Sequence, residues 1–223
     1  MVHYASLSGL DGVEEFVDNY KKETDFHDLV AKMAKIPRST AKTINLGLFY
    51  GMGKGRLMDE LNLNKAEAEE LFEQYHSRVP FVRQLATSVS KKASDTGVVR
   101  TLLGRRCRFP LWEPAAFGIH KPMTYEDARR EYGPGIRRAF TYKALNKLIQ
   151  GSGSDMTKKA MVALAKEGVV SMLQVHDELA ISVEKDKIKE KTKEIKKIME
   201  KCVKLEVPNK VDVAIGDNWG TCK

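Results

Sequence analysis

Cysteine is scarce in this chain: Cys107, Cys202 and Cys222 are the three among 223 residues, far apart and with no C-x-x-C pair. A set that is odd in number and scattered points to reduced thiols in a cytoplasmic compartment and argues against structural zinc. Long apolar runs are missing, so no segment is read as a bilayer span and no membrane partner is expected. The opening MVHYASLSG lacks the basic-then-apolar layout of a signal peptide. Internal repeats and low-complexity tracts are absent too. Acidic residues are outnumbered, 30 against 38 basic ones, which gives a formal charge of +8 and a pI near 9.3. That balance makes a polyanionic partner plausible, although ribosomal, chromatin and membrane-surface proteins share it. With 42% hydrophobic and 30% charged residues the composition is that of an ordinary soluble protein, long enough for one large domain or two small ones.

What is present is organised around the run Pro37 to Leu57, PRSTAKTINLGLFYGMGKGRL. Arg38, Lys42, Leu46 and Tyr50 recur every four residues and form one slowly drifting stripe on a helix. Pro37 suits the first helical turn, and Gly51, Gly53 and Gly55 should break the helix. Cations on adjacent turns followed by an exposed aromatic suit a triphosphate with a flat base stacked beyond it. Taken alone, the stripe reads better as an amphipathic helix with a basic edge.

The flanking segments read mainly as packing. Met1 to Lys22 suggests a helix, a turn and a second short helix with Val13, Phe16 and Val17 inward. Thr24 can cap a helix over Asp25 to Lys35 that turns Phe26, Leu29, Val30 and Met33 inward, with His27 near its start. A short helix over Gly55 to Asn62 precedes a capping-box start at Asn64 and Glu67. The following apolar positions, from Ala68 to Val89, are spaced three and four apart, and Pro80 should bend or divide that helix. Gly97 to Phe109 reads as two short strands around a turn at Gly104 and Arg105. Arg100, Arg105, Arg106 and Arg108 gather there, either as a solvated turn or as a phosphate-backbone contact.

Leu111 to Pro134 reads as an irregular surface excursion, and a long helical pattern runs onward from Ile136. The glycines in Gln150-Gly-Ser-Gly-Ser should kink that helix or loosen its turns. No G-K-[ST] follows them and no strand precedes, which argues against a Walker-type phosphate loop. Val169 to Val183 reads as a hairpin with the acidic tip His176-Asp177-Glu178, a rigid way to present a carboxylate to a hard cation. Lys185 to Lys201 should be a lysine-rich helix with a solvated face, and Leu205 to Ile215 a last strand.

The helix at 37–50 resembles the nucleotide-binding helix of family A DNA polymerases, R-x-x-x-K-x-x-x-F/Y-x-x-x-Y-G: Arg38, Lys42, Tyr50 and Gly51 match, and Leu46 departs. The family's Q-V-H-D-E signature stands at Gln174 to Glu178, in the family's order. The wording of NLGLFYGMGKGRL and ALNKLIQGSGSD looks most like the phage-encoded branch.

The resemblance implies an α+β fold. A palm-to-fingers lead-in would span 1–22, and mostly helical fingers 23–135 with the nucleotide helix at 37–50. Part of a palm with an antiparallel sheet would span 136–223, with its hairpin at 169–183. It implies template-directed DNA synthesis with two Mg2+ ions held between two aspartates. Asp177 would be one metal ligand and Glu178 a weaker neighbouring carboxylate. Arg38, Lys42 and His27 would meet the triphosphate, with Lys42 also a candidate proton donor to the leaving group. Leu46 would lie against the incoming sugar, where an aromatic is usual, and Tyr50 near the template base. Asn146 and Gln150 would face the minor groove, whose acceptors occur in every base pair, and His176 the primer end. Arg105 would meet the DNA backbone.

The family's D-x-S-x-x-E motif, which carries the other aspartate, occurs nowhere in these 223 residues. The resemblance places it just ahead of Met1, together with the upstream palm strand, the thumb and any exonuclease. The expectation is therefore a C-terminal piece of a divided polymerase, active with an N-terminal partner chain, primer-template DNA and dNTP, in the host cytoplasm if viral. The rival readings are a non-catalytic nucleic-acid-binding protein on the same frame and, behind it, a metal phosphohydrolase built on His176-Asp177.

Overall fold

The computed structural model describes residues 1–22, 26–34, 36–49, 54–116 and 118–222, with the backbone alone at 26, 29, 33, 34, 48, 49 and 54. The chain is mostly helical with small antiparallel sheets, and it divides into two compact units, Met1–Gly151 and Ser152–Lys223.

The first unit opens with α1 (Val2–Leu7) and α2 (Val13–Lys21), followed by α3 (Phe26–Ala34), α4 (Arg38–Phe49) and α5 (Lys54–Leu61). Val13, Phe16 and Val17 are buried, as their spacing requires. The Phe16 ring meets Phe81 edge-on with centroids 5.0 Å apart. Burial of a phenyl group of this kind contributes about 2–3 kcal/mol. Thr24, Asp25, Tyr50, Gly51 and Gly53 lie outside the described residues. Gly55 does not break a helix; it lies inside α5, whose Leu57 is wholly buried.

Next come α6 (Lys65–Arg78) and α7 (Pro80–Thr96). Asn64 and Glu67 form the expected reciprocal cap, at 3.0 and 2.8 Å. Pro80 divides the long apolar pattern: α6 ends at Arg78, and the proline occupies the first turn of α7, where it lacks no needed N–H. Two strands, β1 (Val98–Arg100) and β2 (Arg106–Arg108), pair antiparallel around Gly104, which takes a φ of +86° that glycine accepts without strain.

The segment read as irregular contains ordered elements: β3 (Trp112–Pro114) and α8 (Tyr125–Tyr132), with Thr124 capping the helix. Nor is the stretch after Ile136 helical at once. β4 (Ile136–Arg138) pairs with β3, and α9 begins only at Ala144 and runs to Lys166. Arg138 explains the difference. Its guanidinium lies over Trp112 at 4.4 Å and donates to the carbonyls of Ser94 and Phe109, contacts that an early helical turn would not offer. The core here joins Leu85, Val89 and Ala93 of α7 with Val99, Phe109, Ala144, Leu145 and Leu148.

Gly151 and Gly153 do not interrupt α9, which is helical throughout its 23 residues. Gly151 serves packing: a Cβ there would lie 2.7 Å from Thr101 Cγ2.

The second unit holds the rest of α9, a hairpin of β5 (Leu173–Val175) and β6 (Glu178–Ala180), and α10 (Ile188–Lys201). Ala160, Leu164, Val169 and Val203 are its buried apolar residues. Leu205 to Ile215 forms no strand, which corrects the expectation. Its alternating pattern finds no strand to pair with among the described residues, and the backbone is held instead by Glu200, whose Oε1 accepts from Val211 N.

Candidate functional site

Two sets of candidate residues lie in the first unit and one in the second, and each is described within its own unit.

The first set is on α4. Arg38, Lys42 and Leu46 are exposed along one side of the helix, while Ala41, Ile44 and Asn45 on the other are wholly buried. The stripe predicted from four-residue spacing therefore exists as an exposed surface up to Leu46, which is 39% exposed; Tyr50 lies beyond the described residues. α3 packs against this helix and reaches it with adjacent side chains. Asp28 accepts from Arg38 Nε at 2.8 Å, and His27 Nδ1 lies 3.0 Å from Asn45 Nδ2. The Arg38–Asp28 pair is half exposed, so it is worth about 0–1 kcal/mol, and a phosphate could replace the carboxylate at little cost. Binding through Nε also orients the guanidinium plane.

The second set lies on the β1–β2 hairpin and the start of α9. Arg100 stands directly opposite Arg106 in the register, and Arg108 follows on the same outer face; all are exposed. Like charges directly opposite one another destabilise a hairpin, so this face is built at a cost that a polyanion would offset. Arg106 and Arg108 have no side-chain partner among the described residues, whereas Arg100 donates to the Gly104 carbonyl at 3.1 Å. The inner face carries Val99, 2% exposed, and Cys107, both packed into the core.

Arg105 is exposed and donates through Nη2 to the Gly151 carbonyl at 2.6 Å, which ties the turn to α9. Lys147 adds a second tie, donating to the Arg108 carbonyl at 3.3 Å with its ammonium over the Phe109 ring. The hairpin is thus fastened alongside Asn146, which is half buried, and Gln150, which is exposed. These two amides and the guanidinium face belong to the same compact unit.

The third set is the tip of the β5–β6 hairpin in the second unit. His176 and Asp177 form a two-residue turn, with Val175 and Glu178 as the closing pair. His176 takes φ +53°, an uncommon conformation for a residue other than glycine, and its carbonyl accepts from Gln174 Nε2 at 2.6 Å. His176, Asp177 and Glu178 are all exposed. Asp177 and Glu178 offer hard oxygen donors suited to magnesium in kind. Among the described residues, however, no group of three His, Cys, Asp or Glu side chains could hold a metal. By its donor chemistry the tip could supply at most part of such an ion's ligand set.

Sequence reasoning missed Asp28 and Asn45. Asp28 gave no signal, because its partner is set by how α3 crosses α4. Asn45 gave one: a polar residue at a position that the periodicity assigns to the core, beside Ala41 and Ile44.

Residues 4–221 match the family model described as DNA polymerase family A. The chain is similar to the DNA-directed DNA polymerase of Pseudomonas phage M6, 35% identical over 262 residues that cover 98% of this chain and 36% of the phage protein. It is also similar to the thermostable DNA polymerase I of Thermus aquaticus, 31% identical over 97% of this chain and 26% of that one. Among solved structures it is similar to the POL domain of Pol1 from M. smegmatis in complex with DNA primer-template and dNTP. The TM-score there is 0.75 at 28% identity, over 92% of this chain and 36% of the other. The chain thus spans between 26 and 36% of the length of these relatives. No described helix is long and apolar enough to cross a membrane.

Proposed function

We propose, for a chain that belongs to DNA polymerase family A, that it is the C-terminal, fingers-and-palm part of a template-directed DNA polymerase. On this reading it binds dNTP and primer-template DNA and supplies Asp177 as one of two metal-binding aspartates. The other comes from polypeptide outside these 223 residues, since no D-x-S-x-x-E motif occurs within them. The observation that carries the reading is the exposed Arg38–Lys42–Leu46 stripe on α4, opposite a buried face, in a chain that also holds the Q-V-H-D-E signature at a hairpin tip.

The residues divide the work by their chemistry. Arg38, whose Nε donates to Asp28, carries a planar guanidinium of the kind that matches phosphate oxygens. Lys42, one turn on, adds a compact charge and can deliver a proton to the departing pyrophosphate. Leu46 offers the incoming sugar apolar bulk without a ring, and Tyr50 the template base a flat face. Arg105 and the guanidinium face of the hairpin hold DNA phosphates, while Asn146 and Gln150 use amide groups that donate to acceptors present in every base pair. His176 sits beside the primer end. Asp177, with weaker support from Glu178, would hold magnesium, which when bound supplies the positive charge that activates the primer hydroxyl and steadies the leaving group.

Photocrosslinking tests the nucleotide helix. A photoreactive dATP, with magnesium and primer-template, should label peptides from residues 36–61, and Lys42→Ala should reduce labelling about tenfold, the effect of one lost charge-assisted hydrogen bond. Labelling confined to peptides elsewhere, or unaffected by Lys42→Ala, would overturn the assignment.

A further inference from the structure

Asn45 is wholly buried, on the inner side of α4 beside Ala41 and Ile44, which are themselves wholly buried. An amide moved out of water costs about 1–3 kcal/mol unless its hydrogen bonds are replaced, and here they are replaced only in part. Nδ2 lies 3.0 Å from His27 Nδ1, and Oδ1 has no partner among the described residues. A side chain kept for packing alone would be apolar at this position, as Ala41 and Ile44 are.

The bond it makes has a chemical consequence. An amide nitrogen can only donate, so Nδ1 of the ring must accept, and a neutral imidazole that accepts at Nδ1 carries its proton on Nε2. The elements reinforce each other: α3 gives Asp28 to orient Arg38, and α4 gives Asn45 to orient the residue next to Asp28. A triphosphate oxygen needs donors. The Nε2–H form of His27 offers it one, while the opposite tautomer would turn a lone pair toward it.

We propose that Asn45 is a positioning residue that fixes His27 as its Nε2–H tautomer, so that the ring donates a hydrogen bond to the incoming triphosphate. This rests on the reading of α4 as the nucleotide helix. Asn45 itself touches no substrate.

Nitrogen-15 NMR of the full chain, labelled at histidine, reads the tautomer directly, with His27→Gln identifying the His27 signals among the five histidines. The wild type should show a protonated Nε2 and a bare Nδ1. Asn45→Asp, which can only accept, should move the proton onto Nδ1 at unchanged side-chain size. Asn45→Leu should leave a mixture of tautomers with the circular dichroism intact. Titration with magnesium-dATP should shift the wild-type His27 Nε2 signal, and Asn45→Leu should weaken that binding about tenfold, as one misdirected hydrogen bond to an anion would.

A wild-type ring protonated at Nδ1, or a tautomer indifferent to both substitutions, would overturn the proposal whether or not the leucine variant folds. If magnesium-dATP shifts the backbone signals of Arg38 and Lys42 and leaves His27 unmoved, the proposal fails while the reading of α4 stands. If it shifts none of them, that reading fails first.

Discussion

On the proposed reading Asp177 is the metal-binding carboxylate of this chain, exposed at the turn of a hairpin where the backbone decides its direction. Replacing it with asparagine keeps the shape and removes the charge. Nucleotide incorporation by the assembled enzyme should fall by roughly 100-fold or more, the several kcal/mol that a metal contributes, while primer-template affinity stays within about twofold. Primer-extension rates alongside filter binding separate the effects. Arg106 and Arg108 should behave in the opposite way. Changing both to glutamine should weaken binding to any duplex sequence alike and reduce the slope of log K against log salt by about 2, since each phosphate contact contributes about 1. A slope that does not change would return the hairpin to a solvated turn. At this scale the sequence was legible where one helix carries the pattern: a spacing of four places Arg38 and Lys42 on one side whatever surrounds them. It was silent on Asp28 and opaque on Asn45, because their bonds join residues on different helices and depend on a crossing that no local pattern encodes.

Where α9 packs against the turn that follows β1, Gly151 faces Thr101 with no room for a side chain. Gly151→Ala would add a methyl group 2.7 Å from the stiff β-branched Thr101, which is 5% exposed and cannot swing away. We expect a loss of about 1–3 kcal/mol in thermal or urea unfolding, less whatever alanine returns as a better helix former. Thr101→Ser removes the offending Cγ2 and keeps the hydroxyl that accepts from Arg105 N at 3.1 Å, so the double variant should recover most of the loss.

A second prediction concerns α6. Burial, and then the Arg83 cation, push His76 below the ordinary 6.5 of imidazole, against a smaller opposing pull from Glu73. The unfolded chain therefore binds the proton more readily. The stabilisation is complete above pH 6.5 and is lost as pH falls from there through the lowered folded value. His76→Gln should flatten the dependence of unfolding on pH in that window; a dependence that persists unchanged would assign it to other groups. Elements with a local cause were the ones read correctly: the reciprocal cap at Asn64 and the division at Pro80. β3 and β4 were missed because each is three residues long and exists only through its distant partner. The strand expected at Leu205 to Ile215 failed for the converse reason, since alternation without a neighbouring strand does not form a ladder.

Across the molecule, exposed apolar side chains gather in the second unit. Val162, Val170, Met172, Val213, Ile215 and Trp219 are between 46 and 76% exposed, and β5 shows Leu173 and Gln174, which point to opposite sides of the strand, both to solvent. A two-stranded hairpin exposed in this way is marginal by itself and prone to pair with other edges. The isolated chain should therefore bind a hydrophobic dye and self-associate, and on the proposed reading both should decline when the N-terminal part of a family relative is added. A monodisperse chain that binds no dye would contradict this.

The most direct measurement of the central claim is primer extension by this chain mixed with the N-terminal part of a family relative that carries D-x-S-x-x-E. The account predicts template-directed incorporation by the mixture and by neither component alone, abolished by Asp177→Asn in this chain and by loss of the aspartate in the other. Extension by this chain alone, or extension by the mixture that survives Asp177→Asn, would contradict it.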